Sequence, residues 1–155
     1  MADENKDREL LEGLSAVALA EAAPERFNRL AQRLGISSFG VNQIVLEPGQ
    51  RNRIHSHSVQ EEVYAVLDGT LTLVADGKEY DFPAGELVRV APPVRRQISN
   101  RGPGRLSLLA LGGSVDHQHG PRDGKVFAAW EDTESGTLET VPNPPDLPEA
   151  ELRQS

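Results

Sequence analysis

From residue 39 onward the chain is written as short apolar runs separated by turn residues, and this pattern constrains the fold more than any other feature. VNQIVLE leads into Pro48-Gly49, RNRIHSH follows, EEVYAVL precedes Asp68-Gly69, and TLTLVA precedes Asp76-Gly77. KEYDF, ELVRV, VRRQIS and RLSLLAL then end at PAG, APP, NRGPG and GG. Eight runs of five to seven residues, rich in branched side chains and bounded by Gly, Pro, Asp and Asn, predict eight β-strands. The two Asp-Gly pairs predict tight hairpins. No helical stretch lies between the runs, so an antiparallel sandwich or barrel is expected rather than a parallel sheet with crossover helices. VFAAW at 126–130 offers one more strand.

The flanks read differently. Leu10, Leu11, Leu14 and Val17 recur at helical spacing. Pro24 suits a first helical turn, Phe27, Leu30, Ala31 and Leu34 form one stripe, and Gly35 stands where a helix is closed by a left-handed residue. A short amphipathic helix is therefore expected over 24–34. Residues 131–155 are acidic and carry Pro142, Pro144, Pro145 and Pro148, so they predict a flexible or strapping arm without a core of its own. Three parts result: a helical extension (1–38), a β-domain (39–112), and an extension with a polar tail (113–155).

Composition narrows the function. A chain of 155 residues supplies one sizeable core. No apolar run approaches the roughly 18–20 residues of a membrane span, and MADENKDRELLEG has neither the basic start nor the apolar middle of a secretory leader. The absence of cysteine excludes disulfides, thiolate metal sites and cysteine nucleophiles, and fits a cytoplasmic location. The net charge is −8, and the 16 basic residues are dispersed rather than gathered into a stripe. Neither a nucleic acid nor a membrane is expected as a partner.

All four histidines fall in two His-x-His pairs, His55/His57 and His117/His119. On a strand, residues i and i+2 project from one face about 6–7 Å apart, so two imidazoles can converge on one ion. RNRIHSH has strand character, and Glu61 and Glu62 follow. Two histidines and a carboxylate suit Fe(II), Mn(II), Ni(II) or Zn(II) and leave positions open for a ligand. The competing reading is a pair of half-exposed histidines beside unrelated glutamates. His117 and His119 lie beyond the last strand of the regular series. They either complete this site, join a neighbouring subunit's site, or form a solvated loop.

Gly49, His55, His57, Glu62 and Gly69 are spaced as G-x5-H-x-H-x4-E-x6-G. This resembles the first signature motif of the cupin superfamily at every specified position. The resemblance spans about residues 39–111 and implies a small jelly-roll β-barrel in which His55, His57 and Glu62 are metal ligands facing inward. The spacing to Gly69 selects Glu62 over Glu61, and strand alternation allows only one of them to face in. The second cupin motif, G-x5-P-x-G-x2-H-x3-N, is degenerate here. The register from Gly85 to Asn100 leaves room for a TLTLVA–KEYDF hairpin and places Arg96 at the position of the ligand histidine. An alternative register from Gly77 places Val88 there. A guanidinium has no lone pair to offer a metal.

Arg96 then either binds a small anionic ligand in the cavity or pairs with Glu62 in a metal-free site. By alternation Arg53 shares the face of His55 and His57 near the barrel mouth, or else is exposed. Glu62, Tyr64 and Val66 share one face of EEVYAVL, which places Tyr64 with Arg53 and Arg96 among the candidate substrate contacts. The opposite face (Val63, Ala65, Leu67) is apolar as well and needs a cover, either the 24–34 helix or a second subunit. The resemblance adds sheet-face pairing, hence an expected homodimer. Together these features predict a cupin with a mononuclear divalent metal acting on a small anionic organic molecule by oxygenase-like or isomerase-like chemistry. The alternative is a non-catalytic binding or sensing cupin, with or without metal.

Overall fold

The computed structural model describes residues 7–22, 26–116 and 123–154. Twelve strands are found among them: β1 (Arg8–Leu11), β2 (Leu14–Ala16), β3 (Phe27–Arg29), β4 (Gly40–Leu46), β5 (Ile54–His57) and β6 (Glu61–Asp68), then β7 (Thr70–Ala75), β8 (Lys78–Pro83), β9 (Leu87–Val90), β10 (Arg96–Ser99), β11 (Leu106–Gly113) and β12 (Gly124–Phe127). One helix, α1 (Leu30–Leu34), and a 3-10 turn (Glu149–Glu151) complete the list. β1 and β2 pair only with each other. The rest form two five-stranded antiparallel sheets, ordered β12-β5-β10-β7-β8 and β3-β4-β11-β6-β9. This is a cupin-like jelly roll whose two sheets are not joined into a closed cylinder.

Each expected run from 39 to 112 forms a strand, and several alternate buried with more exposed residues as a pleat requires. β11 shows this most plainly, with buried and half-buried residues alternating along Leu106–Gly113. Its buried members Leu106, Leu108 and Ala110 meet Ile44, Leu46, Tyr64 and Val66 of the same sheet. Leu71, Leu73 and Ile98 face them from the other sheet, so one core lies between the two layers.

The two Asp-Gly pairs divide. Asp76 and Gly77, at φ 50° and 74°, close the β7–β8 hairpin as expected, since both central residues of such a turn need positive φ. Asp68-Gly69 closes no hairpin. β6 and β7 belong to different sheets, and Gly69 carries the chain across the gap. It does so at φ +77° with so little room that a Cβ would lie 2.4 Å from the Arg105 carbonyl oxygen. Glycine is required there on both counts.

The N-terminal helical extension is not found. Leu10, Leu11 and Leu14 lie in the β1–β2 hairpin and are exposed. Phe27–Arg29 adds as an edge strand to β4, with Phe27 opposite Ile44. Only Leu30–Leu34 is helical, and Leu30 is its one buried residue. Pairing with the edge of β4 satisfies the backbone groups of 27–29 that a helix would otherwise have paired. Gly35 ends the short helix at φ 80°, where a left-handed cap was expected.

The C-terminal arm is a strap. The Gly136 amide donates to the Val126 carbonyl (2.7 Å), the Leu147 amide to Gly49 (2.7 Å) and the Arg153 amide to Arg101 (2.7 Å). The arm's own Val141 and Leu147 are buried. No helix among the described residues is long and apolar enough to cross a membrane.

Candidate metal centre

Three strands converge on Glu62. β6 carries it, and β10 stands beside β5 with Arg96 opposite His55. Glu62 is buried, whereas its neighbour Glu61 is exposed and pairs with Arg89 at 2.5 Å. The pleat separates the two glutamates as alternation requires. His55 Nε2 lies 3.6 Å from Glu62 Oε1, and His57 Nε2 lies 3.5 Å from Glu62 Oε2. Ligand atoms of His55, His57 and Glu62 all lie within 4.8 Å of one another. Neighbouring donors on one ion at about 2.1 Å stand roughly 3.0–3.4 Å apart, so little adjustment brings these three onto a common centre. The group could hold a metal ion.

The hydrogen bonds prepare two of the three donors. His55 Nδ1 is 3.1 Å from the Arg53 carbonyl. A carbonyl only accepts, so Nδ1 carries the proton and the Nε2 lone pair is left free. Glu62 Oε1 accepts from the Tyr64 hydroxyl and from Arg96 Nη2 at 2.9 Å. Oε2 is the oxygen left facing His57. His57 itself is unsatisfied: both of its ring nitrogens are buried without a hydrogen-bond partner. Buried polar atoms seldom remain so, and an ion at Nε2 would satisfy one of them. The donor set, two imidazoles and one carboxylate, fits a borderline divalent cation.

Arg96, opposite His55 on the neighbouring strand, is fully buried. Besides Glu62 it donates from Nη1 to the Val94 and Pro92 carbonyls at 2.8 and 3.2 Å, and Nε lies 3.4 Å from the Tyr64 hydroxyl. Burial alone would raise the Glu62 carboxyl. The adjacent His55 and His57 rings and the Arg96 guanidinium outweigh it and hold that carboxyl well below the usual range. Burial, and then the Glu62 charge, push the Tyr64 phenol well above its ordinary value, so it stays a neutral donor. Asn100, at the end of the register, is also fully buried. Its amide donates to the Leu46 and Gly104 carbonyls, both at 2.9 Å, and ties the loop after β10 to β4.

β5 begins only at Ile54, so Arg53 lies outside the pleat that aligns His55 and His57. Its Nε donates to the Val141 carbonyl of the C-terminal arm. His117 and His119 lie outside the described residues. Sequence reasoning missed Asp123, whose Oδ2 stands 3.3 Å from His57 Nδ1. Asp123-Gly124 reads as one more turn pair, and no spacing links it to β5.

A cleft of about 460 Å3 opens beside β5 and β12, with Ser56, His57, Arg95, Lys125 and Phe127 among its walls. Neither His55 nor Glu62 lines it. The Arg95 guanidinium sits 3.6 Å over the Phe127 ring.

Comparison with known proteins bears on the fold. Residues 42–112 match the sequence profile of the Cupin domain. An uncharacterised protein of Methanocaldococcus jannaschii is 27% identical over 74 residues, which is 45% of this chain and 59% of that protein. The chain thus spans about three-fifths of the length of that curated relative. A cupin protein from Bacteroides fragilis superposes with a TM-score of 0.61 at 24% identity, covering 71% of this chain and 92% of the other. A sugar phosphate isomerase from the cupin superfamily of Silicibacter pomeroyi superposes with a TM-score of 0.55 at 25% identity, covering 74% and 81%.

Proposed function

From the premise that the chain belongs to the cupin superfamily through residues 42–112, we propose that it is a metal-dependent cupin acting on a small anionic organic molecule. His55, His57 and Glu62 hold a divalent ion. The observation that carries this reading is the convergence of those three donors, with His57 Nε2 buried and without a partner. A bound ion would supply Lewis acidity toward a carbonyl or hydroxyl of the substrate. The chain's own residues do the rest. The Arg53 carbonyl keeps the proton of His55 on Nδ1. Tyr64 and Arg96 hold Glu62 ionised and fixed through Oε1, leaving Oε2 for the ion.

Support for an anionic substrate comes from the likeness to the Silicibacter pomeroyi sugar phosphate isomerase, which makes isomerisation of a phosphorylated sugar the first chemistry to assay. It does not come from Arg96, whose donors are engaged within the protein.

The test is metal content per chain in protein purified without a histidine tag, for wild type, His57→Ala and Glu62→Gln. We expect close to one divalent ion per wild-type chain and a large loss in both variants. Full loading of His57→Ala would overturn the assignment.

One observation favours a second reading. Arg96 already balances the charge of Glu62 without an ion, as a metal-free binding barrel would require. Wild-type chains that remain empty after dialysis against Mn(II), Fe(II), Ni(II) and Zn(II) would decide for it.

A further inference from the structure

The residue behind His57 belongs to the C-terminal extension, not to the stretch that matches the cupin profile. Asp123 immediately precedes β12, and β12 pairs with β5 so that Gly124 stands opposite His57. The Asp123 side chain is 9% exposed. Its two oxygens are held by backbone amides of the β5–β6 turn, Oδ1 by Val59 and Oδ2 by Gln60, each at 2.9 Å. The Asp123 carbonyl accepts from the Ser58 amide at 3.0 Å. A carboxylate clamped in this way cannot turn away, and its Oδ2 lies 3.3 Å from His57 Nδ1.

His57 therefore sits between two buried carboxylates, Asp123 at Nδ1 and Glu62 at Nε2. Both neighbours are acceptors, so a neutral imidazole can satisfy only one of them. With its single proton on Nε2, the ring would block the donor position and leave a lone pair facing Asp123. With the proton on Nδ1, the ring faces Asp123 with a donor and Glu62 with a lone pair. Only the second arrangement makes His57 a ligand.

We propose that Asp123 is a positioning residue for His57: its carboxylate accepts a hydrogen bond from Nδ1–H, which keeps the proton there and so leaves the Nε2 lone pair for an ion shared with His55 and Glu62. The inference rests on the metal reading above. It also separates the two histidines. His55 is oriented by a neutral carbonyl from its own strand approach, and His57 by a charged group from the far end of the chain. A carboxylate partner raises the basicity of a ligating imidazole more than a carbonyl does. The extension after the barrel is thus part of the metal centre's support.

The experiment titrates metal-free protein with Mn(II) and Zn(II), comparing wild type, Asp123→Asn and Asp123→Ala. Imidazole 15N chemical shifts are recorded on the same metal-free samples. Asn retains an oxygen for one of the two turn amides and removes the charge, and comparison with Ala separates positioning from folding. We expect metal affinity about 10–100-fold weaker in both variants. We also expect the wild-type His57 proton on Nδ1, with a shift toward Nε2 in Asp123→Asn. Unchanged affinity in both variants would overturn the role of Asp123. Should the wild type bind neither metal, the metal reading fails by itself, and the shifts then decide on Asp123: a His57 bearing its only proton on Nε2 refutes it, and one bearing it on Nδ1 supports it.

Discussion

Two networks of arginine and carboxylate hold this molecule, one in the barrel and one on its surface. Inside, Arg96, Glu62 and Tyr64 form a cluster that water barely reaches. Outside, Arg101 and Arg153 bind Glu79, Asp81 and Glu151, joining the C-terminal arm to the loop after β10 and to β8. The ion pairs are chemically alike and differ in solvent. The inner cluster lost its hydration on folding, so every donor must find a partner inside, and Arg96 does so with Glu62, Tyr64 and two carbonyls. The outer pairs keep much of their water, with Arg153 and Asp81 39% and 44% exposed. Pairing there adds little energy per contact. A buried network is costly to break, and a surface network is weak singly and acts through number.

The strongest way to test this contrast is Arg96→Ala. It leaves Glu62 buried with one strong partner fewer, and breaking a buried pair from one side costs about 3–5 kcal/mol. Urea denaturation should show a loss of that size. A loss below about 1 kcal/mol would place Arg96 with the surface pairs. Metal added to the variant should recover part of the loss, because an ion supplies the positive charge that Arg96 gave.

Arg96→His sharpens the comparison from the other side. The imidazole removes the fixed cation and, at a position opposite His55, brings a further donor toward the site. Metal affinity should rise by tenfold or more, equivalent to about 1.4 kcal/mol, when followed by titration of metal-free protein. Unchanged affinity would mean that the substituted ring does not reach the ion.

How much of this was legible in the chain depends on whether a feature is local. Strand positions were legible because alternation is written residue by residue, and the choice of Glu62 over Glu61 follows from the same period of two. The fate of Asp68-Gly69 was not legible. An Asp-Gly pair encodes a turn but not whether the next strand stays in its sheet. The N-terminal stripe misled for a related reason: Phe27, Leu30 and Leu34 fit a helix, and the open edge of β4 that captured 27–29 exists only in three dimensions. Arg96 could be placed near Glu62 from its register, but not its carbonyl partners. Asp123 was out of reach, since its approach to His57 is created by β12 joining β5.

The smallest effect belongs to the outer network. Arg153 Nη1 reaches Asp81 Oδ2 at 2.7 Å, and Thr72 Oγ1 donates to Asp81 Oδ1 at the same distance. Partial burial would raise the Asp81 carboxyl, but the Arg153 and Thr72 hydrogen bonds and the charges of Arg153 and Arg101 lower it overall. A carboxyl lowered in the folded state binds its proton more readily when unfolded. Its contribution is therefore complete above the unfolded value of about 3.9 and fades as pH falls through the lower folded value. Arg153→Ala should cost about 0.2–1 kcal/mol at neutral pH and low salt. The difference from wild type should shrink in 1 M NaCl and again below pH 4. Amide exchange at Leu147, whose amide donates to Gly49 at 2.7 Å, reports whether the arm has lifted. The variant should exchange there several-fold faster than wild type, while amides of β11 in the core remain unchanged. If Leu147 exchanges at the wild-type rate, the ion pairs at the end of the arm do not hold it, and the buried side chains of Val141 and Leu147 carry the attachment instead.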